Sequence, residues 1–227
     1  MTETTVAAVS TRRESAMDGM PLVIGVLALQ GDVEAHARLL ELLDVEVKEV
    51  RTPADLDGID GLVLPGGEST ALQLLIEGAE LREPIAKALA DGLPVLGTCA
   101  GMILLAREVL DGRTDQWSFG AIDIGVRRNA FGRQSESFES DLEFRSAENG
   151  PIHAVFIRAP FVESVGDDVE VLAEMTMSDG RSRPVGCRSQ NVTVVAFHPE
   201  LVSDPRVHAL LVDDARRRVD ALKESHE

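Results

Sequence analysis

At 227 residues, with 44% hydrophobic and 27% charged content, the chain has room for one domain with a sizeable core. A net charge of -17 argues against general binding to nucleic acid or to an anionic membrane, because phosphates are repelled. The only two cysteines, Cys99 and Cys187, lie too far apart to suggest a disulfide framework or a zinc site, and they fit a reducing cytoplasm.

Residues 1–20 are polar and lack apolar periodicity, which predicts a disordered leader, with Met20 an alternative start. Arg12-Arg13 ahead of Leu22 to Leu29 superficially resembles a twin-arginine signal. Glu14 and Asp18 interrupt it, the apolar run is short, and no small-x-small cleavage site follows. No apolar run is long enough to span a membrane.

Pro21 to Leu29 is continuously apolar, as a buried parallel strand should be. Gln30-Gly31-Asp32 closes it, and Asp32 suits the N-cap of a helix carrying Val33, His36, Ala37, Leu40 and Leu43 at helical spacing. On that spacing His36 is a helix-face residue. Val45 to Val50 alternates and predicts a strand near a sheet edge; Thr52 to Leu56 connects it onward. Ile59 to Leu64 is a third strand. It runs into Pro65-Gly66-Gly67-Glu68-Ser69-Thr70 and then a helix over Ala71 to Gly78. Two glycines there let the backbone approach a ligand closely, and a backbone N–H donor for an oxyanion fits better than a dinucleotide loop, whose motifs are absent. A plain tight turn is the alternative. A helix over Glu83 to Ala90 ends at Asp91-Gly92.

Leu93 to Leu96 is a strand leading into Gly97-Thr98-Cys99-Ala100-Gly101, with a helix over Met102 to Arg107. This is the cysteine form of a nucleophile elbow. A reactive side chain on a tight turn needs small neighbours, and a following helix aims free N–H groups at the sulfur, which favours the thiolate. An inert buried thiol is the alternative.

Beyond residue 110 the composition changes. Asp111 to Glu143 is rich in Gly, Ser, Arg and Asp, with a strand at Ile122 to Val126. Arg127, Arg128 and Arg133 form a basic cluster suited to an anionic group, or else a solvated face. Short strands at Ala154 to Ile157, Val169 to Ala173, Pro184 to Arg188 and Val192 to Phe197 predict an antiparallel extension. Phe197-His198-Pro199-Glu200 closes the last of them. A histidine with a carboxylate two residues on is what a general base and its orienting group require. A final helix covers about Pro205 to Lys223, with Val207, Leu210, Leu211 and Ala215 on one face. The βαβα alternation implies an α/β fold: a doubly wound, mostly parallel sheet flanked by helices, with the antiparallel extension.

Gly97 to Gly101 together with Phe197 to Glu200 resembles the class I, triad-type glutamine amidotransferases. Gly25 to Gly31, Leu64 to Thr70, Arg128 to Gln134 and Phe156 to Pro160 narrow the resemblance to the glutaminase-subunit family of two-component pyridoxal 5'-phosphate synthases. It runs from about Pro21 to Val212; Ser178 to Val195 matches loosely and nothing is carried over there. The resemblance implies Cys99 as nucleophile, His198 as base and then acid, and Glu200 as orienter. It implies an oxyanion hole from the backbone N–H groups of Gly67 and Ala100. Glutamine binding falls to Gly67, Glu68, Ser69, Arg128, Ile157 and Arg158, with Gln30 accessory. It also implies a class I amidotransferase-like domain over 21–222, a charged tail over 223–227, no cofactor, no metal, and a separate synthase subunit as ammonia acceptor. The glutaminase is then expected to be nearly idle alone, with docking ordering the Gly66-Gly67 loop. Another triad amidotransferase, a γ-glutamyl hydrolase, and a catalytically silent partner-binding subunit are the other readings.

Overall fold

The computed structural model describes residues 21–113, 115–128, 137–145, 150–177 and 180–225. The leader expected over 1–20 and the segment Asn129 to Gln134 lie outside them.

Twelve strands and five helices follow one another along the described chain. β1 (Val23–Leu27), α1 (Val33–Glu41), β2 (Glu46–Val50), β3 (Gly61–Leu64), α2 (Ser69–Gly78), α3 (Arg82–Ala90), β4 (Val95–Thr98) and α4 (Ala100–Leu105) form the first half. β5 (Ala106–Val109), β6 (Ile122–Arg127), β7 (Ser137–Leu142), β8 (Ile152–Ile157), β9 (Phe161–Val165), β10 (Glu170–Thr176), β11 (Ser182–Ser189), β12 (Val192–Val195) and α5 (Arg206–Glu224) complete it.

The main sheet has seven strands in the order β10-β11-β12-β4-β3-β1-β2. β2, β1, β3, β4 and β12 run parallel, while β11 and β10 add an antiparallel edge. β3 and β4 are buried along their whole length, which is why neither alternates between apolar and polar residues. β2 sits at the opposite edge and alternates only partly, as expected of an edge strand. Asp32 caps α1 through its carboxylate, which accepts from the Ala35 N–H at 3.0 Å.

Three differences from the sequence reading matter. First, β12 is not part of the antiparallel extension alone. It pairs antiparallel with β11 but parallel with β4, so it is the fifth parallel strand. Second, the helix after Cys99 stops at Leu105 instead of running to Arg107. The Leu104 and Leu105 carbonyls accept from Phe119 and Ala121 N–H at 2.7 and 2.8 Å, so no further helical turn can form, and the chain leaves as β5. Third, Ala154 to Ile157 belongs to β8, which pairs with β7 in a separate two-stranded sheet. β5, β6 and β9 make a three-stranded sheet of their own. The two-stranded sheet is stitched by Phe156 stacking on Phe138 at 4.6 Å between centroids, and it rests on the main body where Phe156 meets Phe197 edge-on at 5.7 Å. No described helix is long and apolar enough to cross a membrane.

Candidate active site

In an open parallel sheet, functional groups gather just beyond the carboxyl ends of the strands. Gln30 lies past β1, Gly66 and Gly67 past β3, Cys99 past β4 and His198 past β12. The register places Thr98 of β4 beside Val195 of β12. Cys99 N–H then donates to the Val195 carbonyl at 2.9 Å, so the Cys99 turn is tied to the strand that leads to His198. His198 N–H donates to the Val155 carbonyl at 2.8 Å, which brings the end of β8 to the same place.

Cys99 has φ of 49° and ψ of -101°, a conformation that L side chains rarely adopt and that marks the strained elbow. The elbow survives because its neighbours are glycines. A Cβ on Gly101 would meet the Leu64 carbonyl oxygen at 2.0 Å, and one on Gly97 would meet the Gly101 carbonyl carbon at 2.8 Å. On the facing loop, a Cβ on Gly66 would lie 2.5 Å from His198 Cε1 and 3.3 Å from Cys99 Cβ, so only a bare backbone fits against the two side chains. Cys99 is buried except for a small opening, and its Sγ–H faces the Ile157 carbonyl at 4.0 Å.

His198 Nδ1–H donates to Glu200 Oε1 at 2.7 Å. Pro199 opens a single 3-10 turn, Pro199–Leu201, that holds the two side chains on one side. Burial by itself lowers the His198 pKa, but the hydrogen bonds to Cys99 and Glu200 and the charges on both outweigh it and raise it to about 10. Burial likewise raises the Glu200 carboxyl, and the hydrogen bond from His198 with the facing histidines outweighs it, leaving the carboxyl below its ordinary range. The imidazole is therefore held protonated between a carboxylate and a sulfur.

The other expected residues are distributed as follows. Gly67 has φ of 146°, and a Cβ there would strike Gln30 Oε1 at 2.7 Å. That oxygen accepts from Glu68 N–H at 3.2 Å, so Gln30 braces the loop. The Glu68 carboxylate caps α2, accepting from Thr70 and Ala71 N–H at 3.1 and 2.7 Å. Ser69 is buried at the first position of α2, and Ala100 is buried directly after the nucleophile. Arg128 reaches across to α2: its Nη1 donates to Thr70 Oγ1 at 3.2 Å and to Gln116 Oε1 at 2.6 Å. Arg127 is instead committed to Glu163 at 3.2 Å, which separates the basic cluster, and Arg133 lies outside the described residues. Ile157 closes β8 beside Cys99, and Arg158 follows it, exposed, with φ of 45°.

His36 lies on the inward face of α1: it is fully buried, its Nδ1 lies 2.9 Å from His208 Nε2, and its Nε2 lies 3.5 Å from Glu200 Oε2. Its place among apolar residues at helical spacing was the available signal. His208, beside Val207 on the apolar side of α5, carried the same signal.

These histidines set a pH dependence of stability. Burial pushes His36 from 6.5 down to about 3, Glu200 restoring only part, and pushes His208 down to about 4. Both are neutral when folded and become charged on acid unfolding. The stability this confers is present above about 6.5 and is lost as pH falls from there towards 4 and 3. His198 acts with the opposite sign: its contribution is full below 6.5 and is lost as pH rises through about 10. The melting temperature is expected to peak near neutrality and to begin falling on the acid side before carboxylates titrate. A His208→Phe variant should flatten the acid slope in a scan of melting temperature against pH.

A cysteine on a strained strand-to-helix turn thus lies beside a His-x-Glu at the end of the adjacent parallel strand. The chain belongs to the SNO glutamine amidotransferase family, whose model matches residues 26–217. It is 53% identical over 197 residues to the pyridoxal 5'-phosphate synthase subunit PdxT of Salinispora arenicola, covering 87% of this chain and 98% of that protein. It is 55% identical over 193 residues to the subunit of the same name from Frankia alni, covering 85% and 94%. A solved structure described as a glutamine amidotransferase superposes with a TM-score of 0.76 at 44% identity, covering 85% of this chain and 98% of that one.

Proposed function

We propose that this chain is the glutaminase subunit of a pyridoxal 5'-phosphate synthase. It hydrolyses L-glutamine to glutamate and ammonia and hands the ammonia to a partner synthase subunit in the cytoplasm. The glutaminase domain spans 21–222, between a leader over 1–20 and a charged tail over 223–227. The observation that carries the chemistry is the alignment of Cys99, His198 and Glu200 across β4 and β12. The identity to subunits named for the synthase supports the pathway.

In the proposed mechanism the Cys99 thiolate attacks the side-chain amide carbon of glutamine. The tetrahedral oxyanion accepts from the N–H groups of Gly67 and Ala100; loss of one such donor typically costs about 2.7–4 kcal/mol. His198, oriented by Glu200, gives its proton to the leaving nitrogen, and ammonia departs from the thioester. His198 then takes a proton from water as it attacks the thioester, releasing glutamate and restoring the thiolate–imidazolium pair. Gly67, Glu68 and Ser69 line the substrate with Arg128, Ile157 and Arg158. The reaction is redox-neutral and its protons travel on named side chains, so its steps call on no cofactor.

The test is glutamate release from glutamine by the chain alone and then with a pyridoxal 5'-phosphate synthase subunit. Strong stimulation by the partner is expected. Equal activity in both would keep the triad but move the chain to another amidotransferase or a γ-glutamyl hydrolase. No release in either, with Cys99 unreactive, would leave a silent partner-binding subunit.

A further inference from the structure

Behind the triad, two buried histidines continue the line of polar groups away from Cys99. Glu200 has two carboxylate oxygens, and His198 uses only Oε1. Oε2 is buried, makes no closer hydrogen bond, and faces His36 Nε2 at 3.5 Å. His36 Nε2 is equally without another partner. A buried carboxylate oxygen with nothing donating to it is costly, so the facing nitrogen must carry the hydrogen.

That requirement fixes the rest of the line. A carboxylate only accepts, so neutral His36 bears its proton on Nε2 and presents a lone pair at Nδ1. His208 Nε2, 2.9 Å away, must then donate to that lone pair. Its own Nδ1, buried without a partner, is then the aprotic nitrogen. Every proton thus points towards the triad: His208 Nε2–H to His36 Nδ1, His36 Nε2–H to Glu200 Oε2, and His198 Nδ1–H to Glu200 Oε1. Three separate elements supply the parts, α1, α5 and the turn after β12, and both imidazoles are fully buried.

We propose that His36, locked in one tautomer by His208, is a positioning residue for the glutaminase: it donates to the second oxygen of Glu200 and so fixes the carboxylate that orients His198. This deepens the glutaminase reading and rests on it for the role of Glu200. Neutrality is part of the design, because a charged His36 would compete with His198 for the same carboxylate. The groups acting on the pair are Glu200, His198 and, through His208, Asp204, which is itself paired with Arg206. All bear on the pair from outside α1; burial outweighs the Glu200 and Asp204 charges, and the His198 charge acts in the same direction as burial. Catalytic hydrogen bonds that are long in a free enzyme commonly shorten when substrate is bound.

The experiment uses the full chain with three variants, His36→Leu, His36→Gln and His208→Phe. Two readouts are taken: kcat and KM for glutamine with a synthase subunit present, and the pH profile of Cys99 alkylation by iodoacetamide on the chain alone. His36→Leu should lower kcat about tenfold or more, the scale of one hydrogen bond to a charged group, with KM little changed. In the same variant the alkaline limb of the alkylation profile should move to lower pH, because a loosened Glu200 holds the imidazolium less well. His36→Gln keeps an N–H donor near the Nε2 position and should restore both. His208→Phe leaves His36 in place but frees its tautomer; it should give a smaller change in the same direction and covers the case in which His36→Leu does not fold. Wild-type kcat and profile in the folded variants would overturn the proposal. So would a loss of kcat with an unmoved profile and no rescue by glutamine, which describes packing alone. If the wild type releases no glutamate with any synthase yet the alkylation profile still shifts, the glutaminase reading falls and the positioning role stands.

Discussion

Cys99→Ala is expected to reduce glutamate release, measured with the synthase subunit present, by on the order of 10⁴-fold or more. The size follows from the chemistry: without the sulfur there is no thioester, and His198 and the oxyanion donors can assist only direct attack by water. The fold should tolerate the change. Cys99 occupies a strained φ of 49°, a burden the wild type already carries, and alanine removes only one buried atom. Its Sγ meets the Ile157 carbonyl at 4.0 Å and the His198 ring, both at the site and neither part of the core packing. Labelling by a glutamine-like electrophile should therefore vanish while the melting temperature stays near wild type. Cys187 is the internal control. It is fully buried on β11, and burial with the nearby Glu174 charge pushes its thiol up to about 12, so it should label slowly in both proteins. A Cys99→Ala protein that hydrolysed glutamine at the wild-type rate would refute the nucleophile assignment.

Gly101→Ala should be the most damaging single methyl in the elbow. The new Cβ would stand 2.0 Å from the Leu64 carbonyl oxygen and 2.9 Å from its carbon. These are backbone atoms of β3, which is held on both sides by β1 and β4 and cannot step aside. Overpacking of a fitted core usually costs about 1–3 kcal/mol, and a clash with fixed backbone belongs at or above the top of that range. For a domain of this size that corresponds to a fall in melting temperature of about 10 °C or more. The matched control is Gly78→Ala at the end of α2, where an added Cβ meets nothing within 4 Å. It should be neutral or slightly stabilising. Equal melting temperatures for the two variants would show that α4 does not approach β3 as closely as described.

The sequence carried the parts of this site that depend on nearest neighbours. Gly97 and Gly101 around Cys99 are legible because a strained turn excludes side chains whatever surrounds it. The pair Gly66-Gly67 is legible for the same reason. His198 and Glu200 are close in the chain, so their hydrogen bond could be anticipated from spacing. The termination of α4 could not: it depends on Phe119 and Ala121 reaching back to the Leu104 and Leu105 carbonyls from beyond the helix.

By itself, then, the sequence determined the alternation of strands and helices, the cysteine turn and the glycine loop, each through a local period or a local steric demand, while the family was legible through the resemblance of several separate motifs. Only the tertiary structure decided that β12 lies parallel to β4, which sets the histidine beside the thiol. It likewise decided that His36 and His208, 172 residues apart, meet in the interior. A buried imidazole on an amphipathic helix has the same spacing as any core residue, and only the element packed against it says whether its nitrogen faces carbon or a carboxylate.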